Sequence, residues 1–269
     1  GKADTDFISI LFCDIRSFTS LSEKMSPQEL VDFLNDFFKR MTEPISNNKG
    51  FVDKFIGDGV MALFSIPEEP NAADALNSVI AAISMQQQID SFNKDNKMAE
   101  EKRLRIGIGI HSGPVIIGTV GSEERMESTV TGDTVNLASR LEGLTKFYRS
   151  KILISQSTYE FIDSESSFEF RELDLVKVKG KDKPVTIFEV CNSDPEPIRE
   201  QKLGSREKFA EALKDYRSQK WTAAMTKFKN CLKECPDDGA SELHLERCKS
   251  FKKTPPPKDW KGEQVFTQK

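Results

Sequence analysis

Histidine is nearly absent from this 269-residue chain, which has two, His111 and His244. They are too few and too far apart for a histidine-rich metal centre or a Ser-His pair. Cysteine is limited to positions 13, 191, 231, 235 and 248, an odd number without a Cys-x-x-Cys pair. That argues against a disulfide framework or zinc ribbon and for a reducing, cytoplasmic setting. Long apolar runs are missing too. Ile8 to Cys13 and Val60 to Ile66 are strand-length, far short of the ~18 residues a membrane span needs, so direct membrane insertion is not expected. Nor is there an excess of positive charge: 39 Lys and Arg stand against 43 Asp and Glu, a net −4. No overall field would gather nucleic acid or an anionic membrane, and a bound phosphate would need local help such as a metal.

With 37% hydrophobic and 30% charged residues and 19 Phe, the composition is that of a globular protein. Phe7 to Cys13 reads as a buried strand followed by a polar turn, Asp14 to Ser22. Ser26-Pro27-Gln28-Glu29 is a capping-box sequence with Pro at the first helical position. Leu30, Phe33, Leu34, Phe37, Phe38, Met41 and Ile45 then form one apolar stripe, ending before Asn47-Asn48-Lys49-Gly50. Phe51 to Ile56 and Val60 to Ser65, separated by Gly57-Asp58-Gly59, have the pattern of a hairpin. A second amphipathic helix begins near Ala72. Arg103 to His111 alternates Ile and Leu with Arg and Gly, a strand whose glycines suggest close backbone approach on one face. The order strand, helix, strand, strand, helix, strand is the ferredoxin-like βαββαβ unit, an antiparallel sheet with helices on one face, within an α+β class.

After Ser112-Gly113-Pro114 another strand is expected to Val120, then a helix from about Thr134 to Tyr148 and strands at Lys151 to Ser155, Phe168 to Lys179 and Val185 to Val190. Residues 1–191 would form the main domain and the polar, Pro-containing 192–202 a linker. Phe209, Ala212, Tyr216, Trp221, Ala224, Phe228, Leu232 and Pro236 outline a helical hairpin over 203–252, with spacings resembling one tetratricopeptide-type repeat. Residues 253–269, with Pro255-Pro256-Pro257, read as an extended tail. The chain opens at Gly1-Lys2-Ala3 without Met, as an excised piece of a longer protein with an upstream regulatory domain would.

Asp14 ends a buried strand and Asp58 lies at the hairpin tip, and the βαββαβ order lets both reach one sheet edge. Two such carboxylates repel unless a cation sits between them, and Mg²⁺ takes carboxylate oxygens while leaving room for phosphates. Asp58 alone reads equally well as a turn former. Arg16-Ser17-Phe18-Thr19 follows Asp14, where a turn entering a helix can aim N–H groups at phosphates. Asn136 and Arg140, four apart, share one helical stripe, functional or simply an exposed polar face. Lys177, Lys179, Lys181 and Lys183 crowd one turn, a basic loop for a triphosphate or a solvated one.

Three blocks decide between these readings: Leu11-Phe12-Cys13-Asp14-Ile15-Arg16-Ser17-Phe18-Thr19, Lys54-Phe55-Ile56-Gly57-Asp58, and Thr131-Gly132-Asp133-Thr134-Val135-Asn136-Leu137-Ala138-Ser139-Arg140. Together and in order they resemble the class III nucleotidyl cyclase catalytic domain over roughly residues 5 to 191. The resemblance implies that Asp14 and Asp58, with Ile15, bind two Mg²⁺ ions, for which Mn²⁺ can substitute. It implies that Asn136 orients the ribose, that Arg140 stabilises the transition state, and that Phe18, Thr19 and Lys179 contact the triphosphate. Adenylate cyclases of this family have Lys where this chain has Lys54, and Asp or Thr where it has Thr129; guanylate cyclases usually carry Glu and Cys. A Lys donor suits adenine N1 and a Thr oxygen suits the N6 amino group, whereas guanine reverses that edge. ATP is therefore the expected substrate and 3′,5′-cyclic AMP the product, at sites shared across a head-to-tail homodimer. The diguanylate cyclases, which share the palm and two-metal logic, carry Gly-Gly-Asp/Glu-Glu-Phe at this hairpin, unlike Ile56-Gly57-Asp58-Gly59.

Overall fold

The computed structural model describes residues 3–66, 72–122, 125–162, 164–178 and 183–266. The chain divides into two compact units, 1–143 with 157–166, and 144–156 with 167–269.

In the first unit, β1 (Ala3–Ile15) is followed by a short helix α1 (Phe18–Ser22), α2 (Pro27–Asn47), the hairpin strands β2 (Phe51–Ile56) and β3 (Gly59–Phe64), and α3 (Ala72–Asp95). Then come β4 (Ile106–Ser122), β5 (Arg125–Thr131) and α4 (Asp133–Tyr148), a continuous helix that begins in this unit and ends in the other. The strand order is β2-β3-β1-β4, with antiparallel neighbours throughout, which is the ferredoxin-like arrangement. The capping box forms as expected: Ser26 Oγ accepts from the Glu29 amide, and the Glu29 carboxylate accepts from the Ser26 amide.

Three features differ from the sequence reading. The expected turn after β1 contains α1. Ser112-Gly113-Pro114 does not end a strand, because β4 runs through it; β5 first pairs with β4 at Ile116, so the Pro114 nitrogen, which has no N–H, meets no ladder there. Helices also cover both faces of the sheet. Ile8 and Ile10 pack in one cluster with Met61, Leu63, Val115, Val130 and Ala138 of α4, while the alternate residues Leu11 and Cys13, equally buried, face the side where α3 lies on β1 and β4. A strand covered twice reads as a continuous apolar run, and β1 does.

The second unit holds β6 (Ile152–Ser155), β7 (Phe170–Val178), β8 (Val185–Val190) and β9 (Glu263–Phe266) in the order β6-β8-β7-β9, with β9 parallel to β7. The short α5 (Gln156–Glu160) follows β6, and α6 (Ile198–Gly204), α7 (Arg206–Arg217), α8 (Trp221–Glu234) and α9 (Gly239–Lys253) follow β8. Residues 192–202, expected as a linker, contain the start of α6 and the buried Lys202. The expected hairpin is three helices, and part of the expected tail is β9. Phe209, Ala212, Tyr216, Ala224 and Phe228 are buried as their spacing implied. Their cover comes from within the unit: Phe209 and Phe228 pack on His244 of α9, with ring centroids 5.9 and 5.2 Å away, and a buried polar seam runs beside them. Arg171 of β7 donates through both terminal nitrogens to Asp238 at 2.7 Å and through Nε to Glu189 of β8 at 2.6 Å, and Lys202 reaches Glu189 at 3.2 Å and Asp194 at 2.8 Å.

Candidate active site

The end of β1 and the tip of the β2–β3 hairpin bring two carboxylates together. Pairing of Cys13 with Val60 sets the end of β1 beside the start of β3. The two-residue turn Gly57-Asp58, closed by Ile56 and Gly59, needs a positive φ at its first position, and Gly57 has 61°. The Ile15 amide donates to Asp14 Oδ1 at 2.9 Å and to Asp58 Oδ2 at 3.1 Å. Burial, the hydrogen bond with Asp58 and its charge push the Asp14 carboxyl up to about 8, the behaviour of like charges held side by side.

A glycine shapes the rest of this corner. An added Cβ at Gly109 of β4 would lie 2.1 Å from the Glu142 amide nitrogen and 2.7 Å from the Leu141 carbonyl carbon, so α4 rests directly on the β4 backbone. That close approach, read in the sequence from the glycine spacing, sets Glu142 3.6 Å from Arg16 Nη1. Arg16 Nη2 is buried without a hydrogen-bond partner. Glu142 also adds to the charge that raises Asp14. Its role was not legible in the sequence, because a Glu two positions past Arg140 looks like any other helix-surface charge until the helix is seated. Next to Arg16, Ser17 takes the left-handed conformation (φ 55°, ψ 35°) and starts α1, which carries Phe18 and Thr19; a non-glycine residue there is uncommon and often functional.

The remaining site residues lie elsewhere on the unit. Lys54, on β2 beside a bulge, points its ammonium at Asp53 Oδ2, 3.4 Å away, and its side chain is 46% exposed. Thr129 of β5 is half-buried opposite Gly118. Asn136 is exposed and Arg140 half-buried on α4. At ~100° per residue, Arg140 points ~200° around the helix from Glu142. Since Glu142 faces Arg16, Asn136 and Arg140 face away from the Asp14–Asp58 corner of their own chain. The structure thus unites Asp14, Ile15 and Asp58 but not these three with Asn136 and Arg140. Lys179 lies outside the described residues.

Among the described residues no group of three or more His, Cys, Asp or Glu side chains is placed to hold a metal. Two carboxylates still fit a hard cation, since Mg²⁺ keeps several waters and takes one or two carboxylates plus substrate phosphates. Burial and the adjacent Asp58 raise the Asp14 carboxyl, a like-charge pairing of the kind that a divalent cation would relieve. Ile15, aliphatic and buried, has only its carbonyl to offer a metal.

Compared with known proteins, residues 2–190 match the family model described as adenylate and guanylate cyclase catalytic domain. The chain belongs to this cyclase family. It is 49% identical over 195 residues to an adenylate cyclase of Anabaena cylindrica, covering 71% of this chain and 38% of that protein. It is 39% identical over 249 residues to the terminal-differentiation specific adenylate cyclase of Dictyostelium discoideum, covering 92% of this chain and 12% of that protein. The chain therefore spans well under half of either cyclase, and the second match takes in most of the helical extension. Among solved structures, the adenylyl cyclase CyaB from P. aeruginosa is similar with a TM-score of 0.63 and 33% identity, over 70% of this chain and 95% of that one. Cyclase membership accounts for the three sequence blocks. Among the described residues no helix is long and apolar enough to cross a membrane.

Proposed function

We propose that this chain is an adenylate cyclase that converts ATP to 3′,5′-cyclic AMP and pyrophosphate, at two sites each assembled from both chains of a homodimer. The ribose 3′ oxygen forms a bond to the α-phosphorus in line with the departing bridging oxygen of pyrophosphate. The 3′ proton passes to solvent water, no side chain among the described residues being assigned as its acceptor. Asp14 and Asp58, with the Ile15 carbonyl, would hold the divalent cations, Mg²⁺ with Mn²⁺ as substitute. When bound, these supply Lewis acidity at the attacking hydroxyl and charge neutralisation at the leaving pyrophosphate.

The chain's own residues do the rest. Asn136 restrains the ribose so that attack stays in line. Arg140 meets the charge that gathers on the α-phosphoryl oxygens, an interaction strongest in the transition state. Lys54 donates to adenine N1 and Thr129 accepts from the N6 amino group, while Phe18, Thr19 and Lys179 contact the triphosphate. The reading that sites are shared across a dimer is supported by the spacing on α4, where Glu142 stands at the Arg16 corner and Arg140 lies ~200° around the helix from it.

The observation that carries this reading is the meeting of Asp14 and Asp58 at the Ile15 amide, where burial and the neighbouring Asp58 push the Asp14 carboxyl up. Purified protein given ATP or GTP with Mg²⁺ or Mn²⁺ tests it. Cyclic AMP in large excess over cyclic GMP is expected. No cyclic nucleotide with either metal would overturn the activity, and a dominant GTP rate would overturn the base assignment.

A further inference from the structure

The helical extension is fastened to the far end of the helix that carries Asn136 and Arg140. Tyr148, the last residue of α4, is buried, and its hydroxyl donates to Asp174 Oδ2 of β7. Arg247 of α9 donates Nη1 to the same oxygen at 2.6 Å, and its guanidinium stands 5.7 Å over the Tyr148 ring. Asp174 is fully buried, and its Oδ1 accepts from the Leu175 amide at 2.8 Å. The imidazole of His244, also on α9, donates Nε2 to the Leu173 carbonyl at 2.8 Å and lies 4.0 Å from Asp174.

Further contacts close around the same helix end. Gly239, the first residue of α9, is so near that an added Cβ would stand 2.6 Å from the Tyr148 carbonyl oxygen and 2.6 Å from Arg149 Cβ. Arg149 pairs with Glu242 of α9. Phe266 of β9 packs against Phe147, ring centroids 5.4 Å apart, and its face takes the Arg247 guanidinium at 5.8 Å. A helix transmits an axial shift or rotation along its length, and Arg140 is only about 12 Å up α4 from Tyr148 at ~1.5 Å per residue.

We propose that the C-terminal extension positions the catalytic helix, with Arg247 and Asp174 clamping Tyr148 at one end of α4 and thereby setting where Asn136 and Arg140 stand at the other. Arg247 and Tyr148 are positioning residues, and the extension is an internal determinant of turnover instead of a free-standing repeat module. This rests on the assignment of Asn136 and Arg140 to catalysis. The clamp itself is a statement about α4 that can be measured without activity.

The test uses the full chain in two readouts, steady-state cyclic AMP formation with Mn²⁺ and ATP, and hydrogen exchange of backbone amides in residues 133–143. Arg247→Ala is expected to lower kcat ~10- to 100-fold, because misplacement of about 1 Å at a reacting centre costs on that order. KM for ATP should change less than about threefold, and amide protection in 133–143 should fall. Arg247→Lys keeps the charge but not the forked geometry, so it should recover part of kcat. Tyr148→Phe removes one hydrogen bond and should lower kcat less than Arg247→Ala while still lowering protection. Lys208→Ala, at an exposed ion pair within the extension, should match wild type in both readouts. A folded Arg247→Ala with kcat within twofold of wild type and unchanged protection overturns the proposal. If Arg247→Ala does not fold, the same unchanged pair of readings for Tyr148→Phe does so. A wild-type chain that makes no cyclic nucleotide defeats the catalytic assignment instead, and the exchange data still decide the clamp.

Discussion

Asp14 and Asp58 compete for a single donor, the Ile15 amide, which lies 2.9 Å from one carboxylate and 3.1 Å from the other. One N–H cannot neutralise two negative charges, so without a cation the pair lowers its energy by keeping a proton on Asp14. The stability consequence has a definite sign. An acid whose folded pKa is about 8, against an unfolded value near ~3.9, binds more protons in the folded state between those limits. The cation-free fold therefore loses stability as pH rises from ~4 to ~8 and levels off above.

Replacing Asp14 by Asn removes this penalty. In the absence of divalent metal, Asp14→Asn should raise Tm at pH 8 by a few degrees, on the scale of ~1 kcal/mol in a chain this long, and the gain should shrink toward pH 4. Thermal melts at the two pH values check it. The complementary measurement is calorimetric titration of Mn²⁺ at pH 7 in two buffers of different ionisation enthalpy: about one proton should leave per site, because a cation displaces the proton that Asp14 holds. Metal binding without proton release would show that Asp14 is already ionised.

How much of this was legible beforehand depends on the range of the interaction. The capping box at Ser26 and Glu29, the Gly57-Asp58 turn and the stripe of α2 depend on neighbours within a few residues, and their residue types state them. Gly109 announced a close approach without saying of what. Glu142 became meaningful only once α4 was laid on β4, and the buried seam of Arg171, Glu189, Lys202 and Asp238 joins positions up to 67 residues apart. A buried salt-bridge network has no local spacing, so 192–202 looked like a polar linker although its last residue, Lys202, is a buried cation. The tail likewise read as extended, and part of it is indeed a strand; what sequence did not disclose was its partner, β7.

Shared sites predict complementation. Asp14→Ala should abolish metal-supported turnover, and Arg140→Ala should lower kcat ~10²- to 10³-fold, as loss of one charge-stabilising donor typically does. Mixed together, the two inactive chains should regain up to a quarter of wild-type activity per total protein, the share expected if half of the dimers are mixed and one of their two sites is intact. Cyclic AMP assays of the mixture, with heterodimers confirmed by differential tags, give the answer. Confirmed heterodimers without recovery would count against Arg140 acting in trans.

Base choice should follow hydrogen-bond polarity. Lys54 can only donate, so facing guanine it would meet the N1–H donor and leave it unmatched, at a cost of about 1 to 3 kcal/mol. Lys54→Glu combined with Thr129→Cys should therefore shift the ratio of kcat/KM for GTP over ATP upward by ~10- to 100-fold. Competition assays with both nucleotides measure this directly. An unchanged ratio would place base selection elsewhere.

The last prediction concerns where the domain ends. Burial raises the Asp238 carboxyl, but the Arg171 guanidinium, its hydrogen bonds and Ser241 outweigh that and bring it to about 2. A folded pKa below the unfolded ~3.9 contributes stability that is complete above that value and is lost as pH falls toward 2, about 2 kcal/mol for this group. Removing one partner of such a buried pair is worse than lacking both, so Asp238→Ala should cost ~3 to 5 kcal/mol by stranding Arg171. The paired apolar replacement Arg171→Met with Asp238→Leu should recover much of it. Ending the chain after Cys191 removes Asp194, Lys202 and Asp238 together, and with them Phe209, on whose ring the Arg171 guanidinium rests at 4.4 Å. Residues 1–191 alone, the extent suggested by the sequence, should then fail to give a cooperative thermal transition. A truncated chain that melts sharply within a few degrees of the full one would mean that the seam forms on a domain already stable without it.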